Sequence, residues 1–223
     1  FGPFFVADSP AVALGGDIAA GAPGEPCWVE IDMVPFAGEG GPITHLVVVG
    51  RDITERRRSA DAIEQLAFFD VLTGLPNRRL LMERLHTLVE QAHAGRGLGA
   101  VLYIDLDNFK SVNDARGHAT GDALLKHVAS HLVDAVREGD TVARLGGDEF
   151  VILAANLGSD GAAATAAALE LAQKVGKALR RPADIDNQVY HSSGSIGVAL
   201  PLRHEQTVHD LLREADTAMY HAK

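Results

Sequence analysis

The sequence is short of cysteine, of positive charge and of long apolar runs. Cys27 is the only cysteine among 223 residues, so no disulfide can form within the chain, and we expect a reducing, cytoplasmic location. Acidic residues outnumber basic ones by 30 to 20, which gives a net charge of −10. This balance disfavours a sequence-independent nucleic-acid binder, because such proteins need a basic face. No apolar run approaches the ~18–20 residues of a membrane span, so we expect none in this chain.

The composition that remains is that of an ordinary globular protein, with 47% hydrophobic and 22% charged residues. The length suffices for one full domain and part of another, at ~100–200 residues per domain. The sequence opens with Phe1-Gly2-Pro3 rather than with a start methionine or a signal peptide. We therefore expect an excerpt from a longer protein.

Residues 1–54 are rich in glycine and proline and contain two strand-like segments. The segment from Trp28 to Phe36 alternates between apolar and acidic residues, which is typical of a half-buried strand. The run from Leu46 to Val49 is a second strand candidate, and Gly38 to Pro42 would form the loop between them. These features predict a β-hairpin.

A helix is predicted to follow over residues 55–69. Ala60, Ile63 and Ala67 share one of its faces, and Leu66 lies beside that face. The apolar stripe is too narrow to form a core alone. It fits either packing against its own domain or a short seam with the same helix of a second chain.

From Asp70 onward the pattern is regular α/β. Helices are predicted over 78–94, 122–136, 162–180 and 208–223, and strands over 100–106, 141–145, 150–153 and 189–199. The order strand, helix, hairpin, helix, strand predicts a ferredoxin-like βαββαβ sheet covered by helices, in the α/β (α+β) class.

Carboxylates gather at two places in this pattern. Asp105 and Asp107 follow a short apolar strand, where a charge is costly unless it is solvated, paired or bound to metal. Asp148 and Glu149 follow Gly146-Gly147, a strong hairpin signal because glycine tolerates positive φ. The hairpin tip can neighbour the end of the first strand, so three or four carboxylates would converge. Such oxygen ligands suit Mg²⁺, although each acid alone would be read as a loop cap or a solvated charge.

A series of motifs in this part of the chain resembles the GGDEF family. The segment Arg144-Leu145-Gly146-Gly147-Asp148-Glu149-Phe150 matches the signature that names the family. Residues 70–79 are similar to its opening motif and residues 105–122 to its central block. Residues 195–197 and 215–223 are similar to its closing blocks. The resemblance spans residues 70–223, and implies a catalytic domain that lacks its extreme C-terminus.

The order of two strands, Gly50-Arg51-Asp52-Ile53-Thr54-Glu55-Arg56-Arg57 and a helix resembles the C-terminal end of a PAS sensor domain. This resemblance implies three parts: a PAS-like fragment over 1–54, a signalling or dimerisation helix over 55–69 and the GGDEF domain over 70–223.

The GGDEF resemblance implies a role for each matching residue. Mg²⁺, two ions per site, would be held by Asp105, the Leu106 carbonyl, Asp148 and Glu149, with Asp105, Asp148 and Glu149 as the catalytic acids. The GTP would be bound by Asn108, Phe109, Lys110, Asn113, Asp122, Gly146, Gly147 and Lys223. Of these, Asn113 and Asp122 would read guanine, and the Asn108 and Phe109 amides with Lys110 and Lys223 would hold the triphosphate. Taken alone, Asp122 would be a helix cap, Asn113 a turn residue and the lysines solvated.

The implied activity is that of a diguanylate cyclase, which joins two GTP molecules into cyclic di-GMP within a homodimer. Arg137 and Asp140 resemble the family's inhibitory product site, although elsewhere they would be a surface ion pair worth ~0–1 kcal/mol. One alternative is a catalytically silent receptor that binds cyclic di-GMP through Arg137 and Asp140. Another is a cyclase that makes a mixed GMP–AMP product. The retained acids Asp105, Asp148 and Glu149 disfavour the first alternative, and Asp122 disfavours the second.

Overall fold

The computed structural model describes residues 27–37, 43–202 and 205–223. The predicted hairpin loop at 38–42 and residues 1–26 of the PAS-like fragment lie outside the described residues. The chain divides into two compact units, residues 1–65 and 66–223.

The first unit contains an antiparallel hairpin and most of a helix. Strand β1 covers Val29–Ala37, β2 covers Ile43–Asp52, and helix α1 covers Thr54–Phe68. Both predicted strands are confirmed: β1 is shifted by one residue, and β2 is longer than predicted. The Trp28 N–H donates to the Thr54 hydroxyl at 2.7 Å, and the Arg57 guanidinium lies 4.4 Å from the centre of the Trp28 ring. The start of the helix is therefore attached to the start of the hairpin.

The second unit contains the remaining elements. Its helices are α2 (Arg78–His93), α3 (Phe109–Arg116), α4 (His118–Ala135), α5 (Gly161–Leu179) and α6 (Val208–Ala222). Its strands are β3 (Ala100–Leu106), β4 (Thr141–Gly146), β5 (Glu149–Ala154), β6 (Ala183–Ile185), β7 (Gln188–Tyr190) and β8 (Gly194–Ala199).

Four of these strands form an antiparallel sheet in the order β4-β5-β3-β8. This is the strand order of a ferredoxin-like fold, so the predicted fold class is confirmed. Side chains alternate across the sheet and create two cores. Leu102, Ile104 and Phe150 pack with α4 and α5 on one face. Val101 and Tyr103 pack with α2 and α6 on the other.

Two local predictions are wrong in their boundaries. A separate helix, α3, occupies 109–116, and α4 begins at His118 rather than Asp122. Gly117, with φ of 85°, separates the two helices, so Asp122 lies inside α4 and does not cap it. The single strand predicted over 189–199 is instead β7 and β8 with a break at 191–193. β7 pairs with β6 across Asp186-Asn187, both at positive φ, as a tight hairpin turn requires.

Across the described ranges, no helix is both long enough and apolar enough to cross a membrane.

Candidate functional site

The two acidic segments meet at one end of the sheet. Asp105, at the end of β3, lies directly opposite Glu149, at the start of β5. The Leu106 N–H donates to the Asp148 carbonyl at 3.3 Å, which continues the contact into the hairpin tip. On its other side, Asp105 lies opposite Ser195 of β8. The juxtaposition predicted from the hairpin signal is therefore present.

Tyr103 is a site residue that the sequence analysis missed. It lies two residues before Asp105 on the same face of β3, is 8% exposed and lies near Glu149. Burial raises the pKa of the Tyr103 phenol, and the negative charges of Glu149 and Asp216 raise it further. The phenol therefore stays protonated beside the Glu149 carboxylate. The period of two along a strand is the signal that identifies it.

Lys223 lies within the acidic cluster in this structure. Its ammonium nitrogen is 2.8 Å from Asp105 Oδ1. The hydrogen bond with Asp105 raises the pKa of Lys223, and the charges of Asp105, Asp148 and Asp107 act in the same direction. The acids thus form a region of negative potential that already attracts a cation.

Asp107 is not a free carboxylate. Ser193 Oγ donates to its Oδ2 at 2.6 Å, and Ser195 Oγ donates to its Oδ1 at 3.0 Å. The Asp107 N–H also donates to the Ser193 carbonyl at 2.9 Å. Ser193 immediately precedes β8 and Ser195 lies within it, and β8 lies beside β3 in the sheet.

The chemistry of the cluster suits a divalent cation. Asp105 becomes available to a metal ion once Lys223 leaves it for another anion. The negative charge that acts on Lys223 would act on a metal ion too. Within the described residues, no three His, Cys, Asp or Glu side chains form a ready-made metal site. Mg²⁺ commonly takes one or two carboxylates together with substrate phosphates, so a nucleotide would complete such a site.

The hairpin tip is open to an approaching ligand. Gly146 and Gly147 have φ of 144° and 52°, so the predicted positive φ at both positions is found. A Cβ atom built on either glycine would meet no atom within 4 Å. Glycine therefore serves the turn geometry here, and the absence of side chains leaves space above the turn.

An ion pair attaches the hairpin tip to the opening motif. Arg144 Nη1 donates to both Asp70 oxygens at 3.0 and 3.1 Å, while its Nε and Nη2 donate to the Gly147 carbonyl. Asp70 also accepts from the Thr73 N–H and hydroxyl. Burial opposes ionisation, but these hydrogen bonds and the Arg144 charge lower the pKa of Asp70 below its usual value. Both motifs are visible in the sequence, but this link joins residues 74 positions apart and is not.

The segment predicted to hold phosphates is the start of a helix. Asn108 is in the left-handed conformation (φ 57°) and precedes α3, and its side chain makes no capping hydrogen bond within the described chain. The first N–H groups of a helix lack carbonyl partners inside the helix, and they carry the positive end of its dipole. Lys110 is exposed in the same turn. This arrangement can bind an anion.

The two residues predicted to read guanine lie on adjacent helices, Asn113 on α3 and Asp122 on α4. Asn113 Oδ1 is buried and has no hydrogen-bond partner among the described residues. It packs so closely on Gly121 that a Cβ there would lie 1.9 Å from it. Asp122 is exposed beside it. A buried amide oxygen without a partner is costly, and a ligand donor would relieve that cost.

Arg137 and Asp140 form an ion pair at the turn before β4. The Asp140 side chain is 3% exposed and accepts from the Arg137 and Ala155 N–H groups at 3.3 and 3.1 Å. Arg137 is 57% exposed and donates to the Ala155 and Asn156 carbonyls. A cavity of about 250 Å³ lies next to this turn, lined by Gly139, Thr141 and Ala155 and by α2 residues Arg84, Thr87, Leu88 and Gln91.

The family model described as "Diguanylate cyclase, GGDEF domain" matches residues 67–223. The bifunctional diguanylate cyclase/cyclic di-GMP phosphodiesterase MucR of Pseudomonas aeruginosa is 46% identical over 170 residues, which cover 76% of this chain and 24% of MucR. The chain spans about a quarter of the length of the first curated relatives that it matches.

Solved structures agree with the fold. The GGDEF domain of TpbB (YfiN) from Pseudomonas aeruginosa is 42% identical, with a TM-score of 0.64 over 70% of this chain and 88% of that one. The GGDEF domain of DgcB from Caulobacter crescentus, solved in complex with c-di-GMP, is 26% identical. Its TM-score is 0.61 over 70% of this chain and 90% of that one.

Proposed function

The chain belongs to the GGDEF family of diguanylate cyclase domains, a nucleotidyltransferase family, and from this premise we propose that it condenses two GTP molecules into cyclic di-GMP and two pyrophosphates. The observation that carries the proposal is the Asp105–Glu149 pair, which lies beside the open turn at Gly146-Gly147. A receptor without activity would have no need to keep both acids. A cytoplasmic setting suits the reaction, because GTP is the substrate and the chain can form no internal disulfide.

Binding begins with the base and the phosphates. Asp122 accepts hydrogen bonds from the N1–H and N2 amino groups of guanine. The buried Asn113 Oδ1 accepts a hydrogen bond from the same base. The Asn108 and Phe109 amides and Lys110 take the triphosphate. Lys223 exchanges Asp105 for a phosphate oxygen when the nucleotide arrives, which frees the carboxylate.

Family members generally depend on a divalent metal, and we propose Mg²⁺, two ions per site, held by Asp105, the Leu106 carbonyl, Asp148 and Glu149. Bound there, the ions supply charge that lowers the pKa of the attacking hydroxyl and stabilises the attacking and leaving oxygens. The protonated Tyr103 phenol lies beside the Glu149 carboxylate.

In each of two steps, the ribose 3′-oxygen of one GTP bonds to the α-phosphorus of the other and loses its proton. The bond from that phosphorus to the β-phosphate oxygen breaks, and pyrophosphate leaves. Each chain provides one GTP site, so two chains must face each other, and we propose a homodimer as the active form.

The test is the conversion of GTP by the purified protein, with the product identified by mass spectrometry. Glu149→Gln keeps the shape of the side chain and removes its charge, so turnover should fall at least ~10²-fold, the scale for losing one charge-stabilising group. The exposed Glu90→Gln is the control and should retain full turnover. Near-normal turnover of Glu149→Gln would remove Glu149 from the chemistry, and activity that persists in a chelator would remove the metal assignment.

A second proposed property is product inhibition through Arg137 and Asp140, with a silent cyclic di-GMP receptor as the alternative use of the same residues. The exposed Arg137 guanidinium and the neighbouring cavity support binding of a guanine base at this turn. Asp140 is engaged with backbone N–H groups, so a ligand would be bound by the more exposed Arg137, which would give up its bonds to the Ala155 and Asn156 carbonyls. Arg137→Ala should raise the product concentration needed for inhibition and leave the initial rate nearly unchanged. Equal inhibition of both proteins would leave the pair as a structural contact of the turn.

A further inference from the structure

Asp107, Ser193 and Ser195 form a hydrogen-bonded group, here called the Asp107 clasp, that joins β8 to the turn between β3 and α3. Both carboxylate oxygens are engaged, one by each serine hydroxyl, at 2.6 and 3.0 Å. The backbone adds a third bond, from the Asp107 N–H to the Ser193 carbonyl at 2.9 Å. Ser195 is 8% exposed, so at least one of the hydroxyl donors is shielded from water.

The clasp lies at the one point where the chain changes from strand to helix beside the acidic cluster. Asn108 follows directly and adopts φ 57°, a conformation that asparagine tolerates better than most residues but that still requires support from its surroundings. Asn108 makes no side-chain capping bond within the described residues, so its conformation depends on the groups on either side. On one side Phe109 is buried in the core, and on the other side Asp107 makes the fixed polar contacts.

The break between β7 and β8 has a physical reason in the same group. An uninterrupted strand over 189–199 would keep residues 191–193 extended and paired. Instead, Ser192 Oγ donates to the Leu179 carbonyl at the end of α5, and Ser193 Oγ turns to Asp107. Two consecutive serines thus attach this segment to two different elements.

The two hydroxyls fix the direction in which the Asp107 carboxylate points. Each donor uses a lone pair on a different oxygen, and the nearby Lys223 charge is shared with Asp105 and Asp148. A carboxylate that accepts bonds from both sides is fixed in orientation. Its effect is therefore on the backbone that it belongs to.

We propose that Asp107 is a positioning residue: Ser193 and Ser195 hold its carboxylate so that the turn presents the Asn108 and Phe109 amides to the phosphates of the nucleotide. The phosphate part of this inference rests on the proposed GTP-binding function. The positioning part concerns the ligand-free chain and can be measured without a nucleotide.

The experiment compares three variants of neighbouring serines. Ser193→Ala removes one hydroxyl of the clasp, Ser193→Thr keeps it, and Ser192→Ala removes a hydroxyl that contacts α5 instead. Amide hydrogen exchange of residues 107–113 is measured in the ligand-free protein. The KM for GTP and kcat are measured at saturating Mg²⁺. The Mg²⁺ dependence of turnover is measured at saturating GTP.

Ser193→Ala should speed exchange in residues 107–113 and raise the KM for GTP about fivefold to tenfold, the scale of one hydrogen bond, with kcat and Mg²⁺ dependence little changed. Ser193→Thr should restore both values, and Ser192→Ala should change neither. Equal exchange in Ser193→Ala and Ser192→Ala would overturn the positioning role. An increased Mg²⁺ requirement at unchanged KM for GTP would overturn it in favour of a metal ligand. If the unmutated chain binds no GTP, the proposed function fails, and the exchange comparison still decides whether the clasp fixes the turn.

Discussion

Among single residues, Asp70 shows how one side chain can join distant parts of the sequence. It accepts from Thr73 within its own motif and from Arg144 next to the hairpin, and Arg144 also holds the Gly147 carbonyl. The side chains of Asp70 and Arg144 are only 21% and 10% exposed. Removing either partner therefore leaves a poorly hydrated charge, which costs more than breaking a surface ion pair.

Asp70→Asn should lower the free energy of unfolding by about 1–3 kcal/mol near pH 7, the range for hydrogen bonds to a charged group. The pKa of Asp70 is lowered in the folded protein from its usual 3.8, so its contribution is fully present above that value. The contribution is lost as the pH falls through the folded-state pKa. In urea titrations, the difference in the free energy of unfolding between the unmutated protein and Asp70→Asn should therefore shrink below pH 3.8. The exposed Asp184→Asn is the control, and a difference that is constant with pH would contradict the assignment.

Gly121 is a second residue whose role depends on close contact. An alanine in a helix is normally more stable than a glycine by ~0.5–1 kcal/mol, but here its Cβ would lie 1.9 Å from Asn113 Oδ1. Gly121→Ala should displace the Asn113 amide and narrow the preference for GTP over ATP. Gly176→Ala on α5 is the matched control, since the nearest atom to its Cβ is 3.8 Å away. If Gly121→Ala prefers GTP over ATP as strongly as the unmutated protein in competition assays, Asn113 does not take part in base recognition.

At the scale of elements, helix α6 carries Lys223 to the acidic cluster and is seated on β8 by Gly197. A Cβ at this glycine would lie 2.0 Å from the Ala215 carbonyl oxygen and 2.2 Å from the Met219 nitrogen. Both are backbone atoms of α6, which cannot rotate away as a side chain can. The helix therefore approaches the sheet as closely as it does because residue 197 has no side chain.

Gly197→Ala should move α6 outward and destabilise the fold by about 1–3 kcal/mol, the usual cost of overpacking. The displacement should also separate Lys223 from Asp105 and raise the KM for GTP. Thermal unfolding and steady-state kinetics measure the two effects. An unchanged melting temperature together with an unchanged KM would show that α6 does not depend on this contact.

At the scale of the whole molecule, helix α1 exposes an apolar stripe that includes Ile63 and Leu66, which are 68% and 65% exposed. We propose that this stripe pairs with its copy in a second chain, as a cyclase with one GTP per chain requires. Pairing of narrow apolar stripes is the geometry of a short two-helix seam.

Ile63→Glu should lower the dimer fraction in light scattering and lower the turnover in parallel, because a charge in the seam is desolvated without a partner. Gln65→Glu is the matched control: it adds the same charge about 200° away around the helix, at the helical angle of ~100° per residue. It should leave both values unchanged. A monomeric unmutated protein with full activity would contradict the proposal.

The sequence alone determined the fold class, the family and most elements of the second unit. Period-two and period-3.6 patterns record which faces are buried, and glycine, aspartate and asparagine at turns record local backbone geometry. The left-handed turn at Gly146-Gly147 and the approach of Asp105 to Glu149 both follow from such local signals. The PAS-like origin of the first unit remains a prediction, because the matching family model covers residues 67–223 and not this unit.

Only the tertiary structure decided which side chains meet across the sheet and where short elements begin and end. The helix α3 and the break before β8 escaped prediction because contacts from other elements fix them: Asp107 with two serines, and Ser192 with α5. The sequence also does not show that Arg144 contacts Asp70, that α6 packs on Gly197, or that Asn113 Oδ1 has no hydrogen-bond partner among the described residues. Each depends on residues far apart in the chain. A local pattern records the face on which a side chain lies, whereas the packing of the whole domain selects the atom that it touches.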